Sequence, residues 1–231
     1  MNKVIPSFPE AVADIPDGAV IMMDGFGGPG GMPQQLILAL HHQGATDLTI
    51  ISNTAGLPGF GAVGGQPVVT HDMLIEAGRV RKVVASFPVS PSPSRPNAFE
   101  LAYREGNIEL ELVPQGTLAD RIRAGGSGIP AFYTPTGAGT PVAEGKETRV
   151  IDGREYVLEY ALKADYAFIR ALKADHAGNV VYKGTSRNFN ALMATAARTT
   201  IAEVDEIVEP GELDAEAVVT PGIFVQRIVR R

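Results

Sequence analysis

Two neutral amides and one run of glycines are the residues of this 231-residue chain whose types and placement suit chemistry. Asn53 follows the apolar stretch Leu48–Ile51 in Ser52-Asn53-Thr54-Ala55-Gly56, and Gln115 stands between Pro114 and Gly116 after the stretch Ile108–Val113. At the carboxyl end of a strand such side chains donate to a carboxylate or a developing oxyanion without adding charge of their own. The glycine run is Asp24-Gly25-Phe26-Gly27-Gly28-Pro29-Gly30-Gly31-Met32-Pro33, set between Ala19–Met23 and the helix-like Gln34–His42. Missing Cβ atoms let the backbone approach a ligand, and free N–H groups at a helix start favour negative charge. Neutral donors beside such a turn suit a thioester or an acyl anhydride.

Other chemistries fit less well. Gly25-Phe26-Gly27-Gly28-Pro29-Gly30 satisfies the dinucleotide pattern G-x-G-x-x-G, but the second strand ends in Ser52-Asn53 rather than an acid, Asp47 lies at its wrong end, and Pro29 removes a donor. No Lys-Ser or Lys-Thr pair closes a phosphate loop. Asn53 also reads as a turn cap, and Thr117 as the N-cap of a helix beginning at Leu118, whereas a glutamine between a proline and a glycine has little structural work to do. Ser127 lies in Gly-Gly-Ser-Gly, which is not a G-x-S-x-G elbow, and has no placed Asp/His pair. Glu203, Asp205 and Glu206 are candidates for acid–base work, but their alternation with apolar residues reads better as a solvated strand face. His41, His42, His71 and His176 lack metal-ligand spacing and suit solvent-facing or hydrogen-bonded roles; no metal site is expected.

The elements that must position these groups alternate in type. Ala19–Met23, Leu48–Ser52, Lys82–Ser86 and Ile108–Val113 read as strands, and Pro33–His42, Ala98–Arg104 and Leu118–Ala124 as helices, which predicts βαβ units and a parallel sheet. Gly56–Pro67 is a Gly/Pro loop, and the four prolines of Phe87–Pro96 make that segment an exposed loop. Gly125–Gly139 is too rich in glycine and proline for a helix or a central strand, and Asp152-Gly153 between apolar runs signals a hairpin. Tyr166–Ala171, Val180–Tyr182 and Thr200–Val204 read as strands and Phe189–Ala197 as a helix. The expected fold is α/β: an open, mostly parallel sheet with flanking helices, a small hairpin- and loop-rich region near 125–160, and one domain over 1–231.

A net charge of −6 argues against nucleic acid as a partner, since no basic field displaces its counterions. With no cysteine there is neither a disulfide framework nor a thiol nucleophile, and a cytoplasmic setting is the simplest. The amino terminus lacks an apolar signal core, and no stretch approaches the roughly 20 apolar residues of a membrane span.

In its ordered motifs the chain resembles the α subunit of the family I CoA-transferases, typified by the 3-oxoacid (acetoacetate/succinyl) enzymes. The blocks are Asp17-Gly18-Ala19-Val20-Ile21-Met22-Met23 leading to Asp24-Gly25-Phe26 and Gly31-Met32-Pro33; Leu112–Leu118; Arg121–Gly126; Pro130–Gly137; and Ser186-Arg187-Asn188-Phe189-Asn190. Asp24 replaces the signature's first glycine, and the gap before Gly31-Met32-Pro33 is one residue longer than usual.

The resemblance implies two related α/β subunits meeting at an active site, with a catalytic glutamate in a Ser-Glu-Asn-Gly motif of the β subunit. This chain has no Glu-Asn-Gly and ends at Arg231, about where such an α subunit ends, so the glutamate is expected on a partner chain in an α2β2 heterotetramer. By the same resemblance, CoA passes between an acyl-CoA and a carboxylic acid, typically succinyl-CoA and acetoacetate or another 3-oxoacid, through a glutamyl-CoA thioester. Coenzyme A is then substrate, and no tightly bound cofactor is expected.

The position matching Asn53 lies on the oxyanion side and that matching Gln115 beside the glutamate, Phe87 forms a pocket wall, and Gly25, Phe26, Gly27, Gly28, Gly30, Gly31 and Pro33 form the glycine loop. The family's second asparagine is Thr54 here. Alternatives are an acetate/butyrate or 3-oxoadipate CoA-transferase subunit, a sugar-phosphate-isomerase-like enzyme, an NAD-binding oxidoreductase, or a non-catalytic binding protein of this fold.

Overall fold

The fold is that of a computed structural model, which describes residues 2–24, 26, 30–57, 62–63 and 66–231. In chain order the first elements are α1 (Phe8–Val12), β1 (Val20–Met23), α2 (Gln34–Gln43), β2 (Leu48–Ile51), β3 (Ala62–Val63), β4 (Gln66–Pro67), α3 (Asp72–Glu76), β5 (Val80–Ala85), α4 (Ala98–Arg104) and β6 (Glu109–Leu112). There follow α5 (Gln115–Ser127), β7 (Ala131–Thr134), β8 (Thr148–Ile151), β9 (Arg154–Tyr160), β10 (Ala164–Asp175), β11 (Val180–Val181), α6 (Phe189–Ala196), β12 (Ala197–Val208) and β13 (Arg227–Arg230).

Among the described residues the main sheet runs β13-β12-β10-β1-β2-β5-β6 with every neighbouring pair parallel, and β11 pairs antiparallel with β10. The order reverses beside β1: the chain first builds outward through β2, β5 and β6, then returns to place β10 on the other side of β1. Alternate strand residues face two cores. Ile21, Met23, Ile50, Val83 and Phe168 pack with α1 to α4, while Met22, Ile51, Val84 and Ile169 pack with α5 and α6. Helices therefore cover both faces, as a parallel sheet requires.

Local chemistry fixes the elements that carry the site. Leu36, Ile37, Ala39 and Leu40 give α2 its buried stripe, and Gly44, in left-handed conformation at φ 104°, closes it by donating its N–H to Leu40 O at 3.2 Å. In α4, Asn97 and Glu100 form a reciprocal capping box. Its side chains also reach the proline-rich segment, Asn97 Nδ2 donating to Pro88 O at 3.0 Å and Ser90 N–H to Glu100 Oε2 at 2.9 Å. Thus 87–96 is an irregular loop, as its prolines dictate, but one tied down at its start.

The most instructive departures lie between 115 and 139. The helix begins at Gln115, not Leu118, with Pro114 as N-cap, so Thr117 is a helical residue rather than the cap. It then continues through Gly125 and Gly126, although glycine content predicts no helix there. A Cβ on Gly125 would stand 2.0 Å from Leu162 O, and one on Gly126 would stand 2.1 Å from Thr195 Oγ1. These glycines are where α5 comes closest to α6 and to the strand entering the sheet, and helix propensity yields to that packing. The same region also contains β7, an edge strand of a small antiparallel sheet ordered β7-β9-β8. The β8–β9 turn falls where predicted, with Asp152 at φ 49° and Gly153 at φ 76°.

Buried charges fasten this small sheet to the large one. Glu159, 2% exposed, receives Lys146 Nζ at 2.7 Å and lies 3.7 Å from Arg121 Nε, while Arg121 Nη1 reaches Glu111 at 2.7 Å. Burial would raise the Glu111 pKa, but the bonds from Lys82 and Arg121 outweigh it and hold the carboxyl below its usual range. The elements α1, α3 and β13 have no counterpart among the expected ones. At five, five and four residues they are too short for periodicity to declare them.

Candidate functional site

Because β2, β5 and β6 are adjacent and parallel, their carboxyl ends lie side by side at roughly 4.8 Å spacing. That geometry brings together residues 62 positions apart: Gln115 Nε2 donates to Asn53 Oδ1 at 2.7 Å. Phe87 joins them, since Asn53 O accepts from Ser86 N–H at 3.1 Å and Phe87 N–H at 2.9 Å, and Thr54 bridges to Phe87. The Phe87 ring is 47% exposed beside this pair.

With its carboxamide oxygen occupied, Asn53 keeps Nδ2 without a partner among the described residues, and Gln115 retains a second N–H. The first N–H groups of α5 are open as well, because Pro114 supplies no side-chain cap. The hydroxyls of Ser52, Ser86 and Thr117, at these same chain positions, have no partner among the described residues. The arrangement offers several neutral donors at one edge of the sheet and can stabilise negative charge on an acyl oxygen or a carboxylate.

The loop carrying Asn53 is held from its other side. His71, at the head of α3 and fully buried, donates Nε2–H to Thr54 O at 2.9 Å. Burial lowers its pKa to about 4, so the ring is neutral. Gly56, at φ 90°, packs so tightly against α3 that a Cβ there would stand 2.6 Å from Asp72 Cβ. Burial first, and Glu76 second, raise the Asp72 pKa to about 6.

The glycine run lies one strand away, at the end of β1. Gly25, Gly27 and Gly28 fall outside the described residues; Phe26, Gly30, Gly31 and Pro33 lie within them. Asp24, where the family pattern has glycine, is fully buried: its Oδ1 accepts from Phe26 N–H at 2.8 Å and its Oδ2 from Asn190 Nδ2 at 2.9 Å. Asn190 Nδ2 also lies 3.0 Å from Gly31 O, and its Oδ1 accepts from Arg170 N–H at 2.9 Å. Asn188 donates to Phe26 O at 2.8 Å, and the Phe26 and Phe189 rings meet edge to face at 6.1 Å. The block 186–190, singled out by sequence for its motif alone, is thus the clamp of the glycine turn. Its missing signal was a partner: nothing local in the sequence says that Asn190 faces Asp24.

The expectation that α2 offers its N-terminus to a ligand is corrected here. Glu203 reaches across from β12, and its Oε2 accepts from Gln35 N–H at 2.8 Å and Leu36 N–H at 3.2 Å. The Gln34 and Ile37 N–H groups are satisfied by Met32 O and Pro33 O. The negative charge favoured at this helix end is therefore already supplied by the chain, and a dinucleotide pyrophosphate has no place there.

Glu203 is also not on a solvated face, as its alternation with apolar residues suggested, but 0% exposed. Arg170 and Arg231 each approach its Oε1 at 4.0 Å, yet burial dominates and raises its pKa to about 7. Asp205 and Glu206 pair at 2.6 Å with Arg170 and Lys173. Among the described residues no three His, Asp or Glu side chains group to hold a metal ion, and no helix is long and apolar enough to cross a membrane.

Fold and site together define an α/β acyl-transfer scaffold, and comparison with known proteins gives it a family. The family model for coenzyme A transferase matches residues 5–231, nearly the whole chain. The α subunit of the 3-oxoadipate CoA-transferase of Pseudomonas putida is 55% identical over 99% of this chain and 94% of its own length. The α subunit of the probable succinyl-CoA:3-ketoacid coenzyme A transferase of Bacillus subtilis is 46% identical over 99% of this chain and 90% of its own. The chain belongs to the coenzyme A transferase family. Within it, the chain is of the α type, as both relatives are.

In fold, the solved acyl-CoA transferase YdiF of Escherichia coli O157:H7 superposes with a TM-score of 0.83 at 23% identity, covering 100% of this chain and 47% of that one. The chain thus spans about half of that longer neighbour.

Proposed function

We propose that this chain is the α subunit of a two-subunit 3-oxoacid CoA-transferase, acting as one domain over 1–231, and that Asn53, Gln115 and Phe87 with the open end of α5 form its share of the active site. The supporting observation is the Gln115–Asn53 bond at 2.7 Å, which presents unused amide N–H groups at the sheet edge.

A glutamate carboxylate of the β subunit attacks the thioester carbonyl of the acyl-CoA. The carbonyl oxygen becomes an oxyanion, held by the Asn53 and Gln115 amides and the α5 N–H groups. Collapse expels CoA thiolate and leaves an acyl-glutamyl anhydride; thiolate then attacks the glutamyl carbonyl, releasing the first acid and forming the glutamyl-CoA thioester. The acceptor acid runs the same steps backward, and no proton is consumed overall.

Phe87 walls the acyl site, and the turn containing Gly25, Phe26, Gly27, Gly28, Gly30, Gly31 and Pro33 forms a second wall. Succinyl-CoA is the proposed donor and a 3-oxoacid the acceptor; 3-oxoadipate is the first to assay because the 55% identical relative carries that name. Coenzyme A enters as substrate with no resident cofactor, the assembly is an α2β2 heterotetramer, and the setting is cytoplasmic.

The test is co-expression with a β subunit followed by CoA-transfer assays from succinyl-CoA to 3-oxoadipate, acetoacetate, acetate and butyrate. The pair is expected to turn over a 3-oxoacid while each chain alone is inactive. Transfer by this chain unaided, or none by the assembled pair, overturns the reading.

A further inference from the structure

The neutral donors at the edge of β2 work only if Asn53 is aimed, and backbone hydrogen bonds aim it from two directions. Its own carbonyl is fixed by the N–H groups of Ser86 and Phe87. The next carbonyl, Thr54 O, is fixed from α3 by His71 Nε2 at 2.9 Å. Two successive peptides pinned by different elements leave the Asn53 Cα–Cβ direction little freedom, and Gln115 then meets it at 2.7 Å.

His71 lies 17 residues after Thr54, is 0% exposed, and has no other polar side-chain contact among the described residues: its Nδ1 is without a partner. A buried imidazole presenting one N–H to one carbonyl acts as a fixed donor. Gly56 against Asp72 seals the same loop onto α3, leaving no room for it to slide.

We infer that His71 is a positioning residue for the transfer reaction, its Nε2–H holding the Thr54 carbonyl so that Asn53 and Gln115 stay aimed at the acyl oxygen. This rests on the proposed role of those two amides. The ring needs no proton exchange during turnover and touches no reacting atom. Its neutral state, favoured by burial, persists through the working pH range. Losing the donor leaves a buried carbonyl unpaired and frees the Asn53 loop to turn, which acts on the transition state more than on binding of the CoA portion.

The test uses the reconstituted two-subunit complex with His71→Leu, His71→Gln and Gln115→Ala measured side by side. Glutamine can place its Nε2–H where the imidazole Nε2–H stands; leucine cannot. For His71→Leu, kcat is expected to fall on the order of tenfold or more, with KM for the acyl-CoA within about twofold, and His71→Gln to recover most of the loss. A buried group with only a stabilising role would lower the melting temperature in both variants without this split or this rescue.

The inference is overturned if His71→Leu keeps kcat within about twofold of the parent, or if glutamine loses as much as leucine. Should His71→Leu not assemble, nitrogen NMR of the imidazole in the unmodified complex decides: the neutral Nε2–H form supports the inference, and the Nδ1–H form or the cation at pH 7 overturns it. Gln115→Ala separates the two levels. If it too retains full kcat, the proposed site fails; if it falls while folded His71→Leu does not, only the role of His71 fails.

Discussion

Replacing Glu203 by glutamine should convert a pH-dependent stability into a pH-independent one. Glutamine keeps an oxygen able to accept from Gln35 and Leu36, so the cap on α2 survives, while the titrating charge disappears. Burial raises the Glu203 pKa from its ordinary 4.5 to about 7. A folded-state pKa above the unfolded one means that the native protein binds the proton more tightly. The favourable contribution is full below about 4.5 and is lost as pH rises through about 7. Across that window the native state loses about 3 kcal/mol relative to the unfolded chain, most of it between about pH 5 and 8.

Any constant effect of facing a carboxamide toward Arg170 and Arg231 cancels when the two proteins are compared at two pH values. Urea unfolding of both at pH 5 and pH 8 should therefore show the variant gaining about 2 to 3 kcal/mol on the parent at the higher pH. An identical difference at both values would refute the reasoning, because it would mean that the two arginines and the α2 amides keep Glu203 ionised throughout.

Gln115→Ala should lower kcat of the reconstituted complex by about a hundredfold, the effect of removing one oxyanion donor, while subunit assembly followed by size-exclusion chromatography stays intact. Gly126→Ala gains about 1 kcal/mol of helix propensity but forces a Cβ to within 2.1 Å of Thr195 Oγ1, so a net loss of about 1 to 2 kcal/mol is expected in thermal unfolding. Asn190→Ala removes a donor from buried Asp24 and the acceptor of Arg170 N–H, and should lower stability by about 3 kcal/mol in denaturant titration. It should also speed proteolysis at the glycine turn, because the clamp on Gly31 goes with it.

Much of this was legible in the residues themselves. Period and punctuation place β1, β2, β6 and α4 to within a residue or two, because an apolar run ended by Gly, Pro or a cap leaves the backbone few choices. The hairpin at Asp152-Gly153 was equally plain, since few residue pairs accept two successive positive φ angles. Asn53 and Gln115 were found as amides at strand ends, and parallel strands put those ends on one edge; their meeting at 2.7 Å follows from β2, β5 and β6 being neighbours.

Packing between distant segments decided the rest. Gly125 and Gly126 weaken a helix in isolation and are helical here because α5 must touch α6 and Leu162. Alternation made Glu203 look solvated, yet strand periodicity separates only two faces and does not say that both are covered; the helix layers bury it and send it to α2. Asp24 looked like a fault in a glycine signature until Asn190, 166 residues later, supplied its partner. Residue type and spacing determined the elements and the chemistry on offer, because those depend on neighbours along the chain. Which buried carboxylate caps a helix, which loop is clamped and which amide is aimed depend on contacts across the chain, and only the tertiary structure decides them.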